Sequence, residues 1–136
     1  MVIRLFGSLN YTKKRYTTPM KLSIDTPTLS QNEAWKGKRY KSDKYLTFEE
    51  EMLWKLPKLT PLDGLIEVRY TFHMKNHKMK DIDNPIKIFT DILVKAGIIK
   101  DDRYIYRMIL DKVPSSVDKI EVDIIPYVIH SSKEGD

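Results

Sequence analysis

The chain contains no cysteine, which removes disulfides, zinc-thiolate sites and cysteine nucleophiles together and fits a reducing cytoplasm. Its three histidines, His73, His77 and His130, stand at no ligand spacing, so they read as satisfied or surface residues rather than a metal cluster. Long apolar runs are also missing. The N-terminal cluster Val2-Ile3-Arg4-Leu5-Phe6 is interrupted by an arginine and is too short for a signal core or a membrane span. There is no internal repeat and no low-complexity tract. These absences lead to the expectation of a soluble cytoplasmic protein with no membrane partner and no small-molecule cofactor.

What is present is enough for one domain. The 136 residues, 41% of them apolar, suffice to bury a continuous core. We therefore expect a single domain over 1–136, with a basic N-terminal extension over 1–20 and a frayed polar tail over 130–136. A net charge of +5 and a pI near 9.3 favour a polyanionic partner, although a modest excess of this size also occurs in proteins that bind none.

Along the chain, residues 1–20 begin strand-like and continue as a loop carrying Lys13-Lys14-Arg15. A short strand is expected over 21–25, followed by an exposed basic loop over 30–44 with Trp35 and Tyr40 among its lysines and arginines. Thr47 with Glu50 has the spacing of a capping box, and Phe48, Met52 and Leu56 follow at helical intervals, so a short helix should end at Pro57. Residues 66–72 alternate cleanly, with Ile66, Val68, Tyr70 and Phe72 on one face, as a half-buried strand does. Asn84-Pro85 supplies a cap and a first-turn proline, and Ile86, Phe89, Leu93 and Ala96 form a stripe that stops at Gly97, which predicts a helix over 85–96. Strands are expected over 104–110 and 119–125, joined through Pro114-Ser115-Ser116 as an antiparallel hairpin. The order β-α-β-α-β-β describes a small α+β domain whose mixed sheet of about four strands is covered by two helices.

Charge is unevenly placed. Between Lys80 and Asp102 the chain gathers five carboxylates, Asp81, Asp83, Asp91, Asp101 and Asp102, in a protein that is otherwise basic. Carboxylate oxygens bind hard divalent cations such as magnesium, and surrounding lysines bind phosphodiesters, so the contrast points to a metal-dependent nuclease. In extended chain Asp81 and Asp83 project to the same side and can share a cation. The helix that starts at Asn84 offers free amides to a phosphate. Lys87, one turn into the helix, can reach the scissile group as a fixed cation. Asp91, four residues on, is placed to pair with Lys87 and orient it. A plainer reading fits the same spacing: Asp83 caps the helix, Asp81, Asp101 and Asp102 are solvated, and Lys87 with Asp91 is a surface ion pair. A calcium-loop reading fails, because Pro85 and Ile86 stand where that motif needs an oxygen ligand and a glycine.

The run Asp81-Ile-Asp83-Asn84-Pro-Ile-Lys87, then Asp91, then Gly97-Ile-Ile-Lys-Asp101-Asp102, resembles the central signature of the RusA family of Holliday junction resolvases. A weaker likeness extends to Ser30-x-Asn32, to Arg39 and Tyr40, and to the final pair of strands, so it covers about 20–125. The resemblance implies a RusA-like fold and a homodimeric, magnesium-dependent endonuclease of phage or prophage type, with manganese as a substitute metal. Its implied reaction is the cutting of four-way DNA junctions in recombination and repair. It also implies that Asp81, Asp83 and Asp102 are the metal ligands and that Lys87 is the essential lysine; Asn84, Asp91 and Asp101 are secondary candidates for the site.

One metal must then join residues on both sides of a helix. About twelve helical residues advance roughly 18 Å, too far for direct bridging of the two ends. Either the loop before Asp81 folds back along the helix, or a second subunit brings its Asp102 across a two-fold axis. Asn32, Lys36, Lys38, Arg39, Lys75, Lys78 and Lys80 are candidates for DNA contacts; for the lysines and the arginine a solvated surface charge is the alternative. Two other function classes fit the chain: a nuclease for another DNA structure, and a branched-DNA-binding module without turnover.

Overall fold

The computed structural model describes residues 2–5, 19–29, 35–36, 40–78 and 84–129, with backbone alone for 2–5, 35, 36 and 84. In chain order the elements are β1 (Val2–Leu5), β2 (Met20–Ile24), β3 (Trp35–Lys36), β4 (Tyr40–Lys41), α1 (Asp43–Lys55), β5 (Ile66–Met74), α2 (Asn84–Lys95), a 3-10 turn (Asp102–Tyr104), β6 (Ile105–Pro114) and β7 (Lys119–Pro126). Five strands form one mixed sheet in the order β1-β2-β7-β5-β6, and β3 with β4 makes a separate two-stranded ribbon. The α+β expectation holds, with β1 added at one edge beyond the four strands expected.

β5 occupies the position its alternation suits. Ile66, Val68, Tyr70, Phe72 and Met74 are buried, and Val68, Tyr70 and Phe72 stand in register with Ile124, Val122 and Ile120 of β7 on one side and with Met108, Leu110 and Lys112 of β6 on the other. Leu22 of β2, opposite Val122, extends the same face. This face meets both helices in a single cluster of buried residues, where each fully buried aliphatic or aromatic side chain contributes about 1.5–3 kcal/mol. The opposite face keeps Lys21, Arg69, His73, Glu121 and Asp123 half-buried or exposed. His73 is a satisfied histidine, its Nε2 lying 2.6 Å from Glu121 Oε1.

The expected hairpin between the last two strands is not formed. β6 runs parallel to β5 and β7 antiparallel to it, on opposite sides. The link between them passes over the end of β5: the Ser115 N–H donates to the Met74 carbonyl at 3.2 Å, and the Lys75 N–H donates to Asp118 Oδ1 at 3.0 Å. Turn composition specifies a reversal of direction and says nothing about whether a third strand lies between the two arms.

α1 begins earlier than Thr47. Ser42 is its N-cap and accepts from the Tyr45 N–H at 3.1 Å, with Asp43 in the first turn and Lys55 in the last, the distribution that the helix dipole favours. Thr47 is therefore an exposed residue of the second turn. The stretch expected as a basic loop holds the β3–β4 ribbon and the start of this helix instead. Tyr45, Glu49, Met52 and Leu56 face the core.

α2 starts with Asn84 as its first helical residue, one position before the expected start. Its buried ridge is Ile88, Phe89, Ile92 and Leu93; Ile86 and Ala96 of the expected stripe lie at the margin. Gly97 has φ +79. Its N–H bonds the Val94 carbonyl at 3.0 Å and the Ile98 N–H bonds the Leu93 carbonyl at 3.0 Å, a Schellman ending that only a residue free to be left-handed adopts without strain. The Tyr70 hydroxyl and Thr90 Oγ1, 2.6 Å apart in the core, tie α2 to β5, and burial raises the Tyr70 pKa against the opposing effect of that bond.

Glu49 joins three elements. It accepts from Lys41 of β4 and Lys95 of α2, each at 3.0 Å, while being itself buried. Burial pushes its pKa up, but the hydrogen bonds from Lys95 and Lys41 outweigh it and hold the carboxylate below its ordinary value. A depressed carboxylate stabilises the fold above its unfolded pKa, and the stability is lost as pH falls below about 4.5 through the folded value. Glu49→Gln should cost about 1–2 kcal/mol at neutral pH, given the partial exposure of both lysines. Urea midpoints should show that deficit shrinking toward pH 3, and a deficit independent of pH would refute the assignment.

Candidate active site

The conformation of α2 sets the positions of the candidate residues. Lys87 lies one turn into the helix on its outward face, and its Nζ is 3.2 Å from Asp91 Oδ1, the pairing expected from their spacing. Both are substantially exposed, at 64% and 40% of the side chain, so the pair orients Lys87 without adding much stability. Beyond Gly97 the 3-10 turn packs back against α2. Asp101 caps that turn, its side chain accepting from the Arg103 N–H at 3.0 Å. Its carboxyl is held below the ordinary value first by that bond and then by hydrogen bonding with the Asp102 side chain.

Asp102 is the first residue of the turn and is exposed. Asp102 and Lys87 line one open groove of ≈ 490 Å³ between α2 and β6, with Ile86 and Thr90 on the helix side and Ile105, Tyr106, Arg107 and Met108 on the strand side. A carboxylate and an ammonium from either side of the helix thus share a wall. The turn at Gly97 and the return of the chain against α2 bring Asp102 to the groove that Lys87 lines.

Asp81, Asp83, Lys80, Asn32, Lys38 and Arg39 lie outside the described residues. Asn84 and Lys36 are described as backbone, in α2 and β3. Lys75 and Lys78 are exposed in the turn after β5. Among the described residues no three acidic or histidine side chains gather closely enough to hold a metal. Asp102 nevertheless presents an oxygen donor to the groove, and the candidates expected beside it are carboxylates too. Such an all-oxygen set suits a hard cation of the magnesium type rather than a thiolate- or imidazole-seeking one.

Two groups were not legible as site residues. Lys112 of β6 donates to the His77 carbonyl at 2.6 Å, which with the Asp118 bond to Lys75 fixes the turn leading toward Asp81. Tyr106 and Arg107 form the strand wall of the groove; that they lie on a strand was visible, but not what they would face.

The family profile described as Endodeoxyribonuclease RusA matches residues 12–125. The chain belongs to the RusA family. It is therefore a hydrolase of the endodeoxyribonuclease class, and the match begins nearer the N-terminus than the motif likeness did. A RusA relative from Aquifex aeolicus (strain VF5), named crossover junction endodeoxyribonuclease RusA, is 30% identical over 95 residues, covering 67% of this chain and 75% of the relative. No helix among the described residues is long and apolar enough to cross a membrane.

Proposed function

We propose that this RusA-family chain resolves Holliday junctions in the cytoplasm, acting as a homodimer that makes paired nicks in the presence of magnesium. The observation that carries the reading is the shared groove of Lys87 and Asp102, two positions of the motif on which the family resemblance rests. The bond to be broken joins phosphorus to a 3′ oxygen, and a water oxygen replaces it from the opposite side. Asp81, Asp83 and Asp102 would hold magnesium, with manganese as a substitute; when bound, the ion acidifies a water and offsets charge on the phosphate. Lys87, steadied by Asp91, supplies positive charge to the non-bridging oxygens as that charge grows. Lys75 and Lys78 supply phosphate contacts that set affinity and its salt dependence without reading sequence. A four-way junction has approximate two-fold symmetry and must be cut on opposing strands to give ligatable duplexes, which is why two related sites suit it.

A magnesium titration with end-labelled junction, matched duplex and flap substrates tests this. The expected result is cleavage that requires the metal and runs at least tenfold faster on the junction. Equal rates on all three would refute junction specificity, and turnover in excess chelator would refute the metal requirement.

A further inference from the structure

We propose that two copies of this chain pair through the free edge of β6, antiparallel, about a two-fold axis at Ile109. The inference rests on the homodimer reading above and names the surface that makes it. Among the described residues β6 ends the sheet order and pairs on one side only, with β5. It is ten residues long, and an unpaired edge of that length presents a row of backbone donors and acceptors ready for another strand. Large apolar side chains sit exposed on it: Tyr106 is 56% accessible and Met108 38%.

The sequence of β6 selects the partner. With Ile109 opposite its own copy, Met108 faces Leu110, Arg107 faces Asp111, Tyr106 faces Lys112 and Ile105 faces Val113. Each apolar residue meets an apolar one, each charge meets its opposite or an aromatic ring, and by symmetry every pair occurs twice. Moving the axis to Met108 sets Arg107 against Ile109 and Ile105 against Asp111; moving it to Leu110 sets Ile109 against Asp111 and Arg107 against Val113. Axes between residues would turn opposite faces together. The Ile109 register keeps the faces matched: Met108 and Leu110 stand in line with Val68 and Tyr70 of the helix-covered face, and Arg107 and Ile109 with Glu67 and Arg69 of the open one.

Arg107 is already 3.5 Å from Glu67 through its Nε, yet its side chain is 61% exposed, so the guanidinium keeps N–H groups for Asp111 of the partner subunit. Because Arg107 lines the groove shared by Lys87 and Asp102, the pairing extends each groove wall with the second copy and places both grooves on one face of a continuous sheet.

The absence of native cysteine makes the test direct. Ile109→Cys should form a disulfide-linked dimer under mild oxidation at micromolar concentration, at least tenfold faster than Trp54→Cys, whose side chain is 84% accessible on α1. Asp111→Arg should raise the dimer dissociation constant at least tenfold by sedimentation, and Arg107→Asp combined with Asp111→Arg should restore it. A wild-type dimer whose Ile109→Cys variant links no faster than Trp54→Cys, or which Asp111→Arg leaves intact, would overturn the β6 interface and leave the dimer standing. A wild-type chain that sediments as a monomer would overturn both.

Discussion

Asp102→Asn is expected to lower DNA cleavage by about a thousandfold or more while changing junction affinity less than about threefold. The substitution keeps size and shape at an exposed position on the groove wall, so folding is not at stake. It removes one full negative charge and an anionic oxygen where, on the proposed reading, a cation and a phosphate would be held together. Binding is spared because phosphate contacts by lysines and arginines on the surface carry most of the affinity. Lys87→Met should behave alike, losing about a hundred- to a thousandfold in kcat, the usual cost of one preorganised charge at a reacting phosphate. Asp91→Asn acts only through Lys87, across an exposed contact of 3.2 Å, and should cost no more than about tenfold. Single-turnover cleavage with a separate gel-shift measurement checks all three. An Asp102→Asn enzyme that cuts at the parental rate would leave the plainer reading, in which these acids cap and solvate.

How much of this was legible depends on the range over which each feature is decided. The β5 strand and the α2 stripe are written locally, in the two-residue alternation from Ile66 and in the spacing that stops at Gly97, and the structure repeats them with a one-residue shift at Asn84. The start of α1 was misread because Thr47 and Glu50 have capping spacing, whereas the choice of Ser42 is made by what the extra turn buries: Tyr45, whose phenol is pushed up to about 12 by burial and then by the charges of Asp91 and Glu49. That is a tertiary effect, invisible at the cap. The supposed β6–β7 hairpin failed for the same reason, since β5, whose residues pair with partners 39 to 60 positions later, supplies the strand between them. At the site, the Lys87–Asp91 contact followed from helical periodicity. The approach of Asp102 to the same groove did not, because the path from Gly97 through the 3-10 turn depends on what α2 packs against.

Phe72→Ala is the substitution expected to cost the fold most, about 3–5 kcal/mol. Phe72 is wholly buried at the centre of the sheet, in register with Ile120 and Lys112. Its ring stacks on Tyr70 at 5.8 Å with 13° between planes, and Tyr70 in turn meets Phe89 of α2 edge-on at 6.0 Å. Truncation therefore opens a cavity and strips one partner from an aromatic chain that connects β5 to the helix bearing Lys87. Flanking strands on both sides prevent collapse into the space. A domain of this size has about 5–15 kcal/mol in total, so the loss takes a large share, and the melting temperature should fall by roughly 10–20 °C. Phe72→Leu, which keeps most of the volume, should cost no more than about 1.5 kcal/mol. Leu46→Ala, on the exposed face of α1, should move the midpoint by less than about 0.5 kcal/mol. Denaturant midpoints at constant slope separate these outcomes. A Phe72→Ala variant as stable as Phe72→Leu would mean that the β5 centre is not the packed core described. Junction cleavage per folded molecule of Phe72→Ala should stay near parental well below its melting temperature, because Phe72 does not line the groove and acts on the site through whether α2 is held in place.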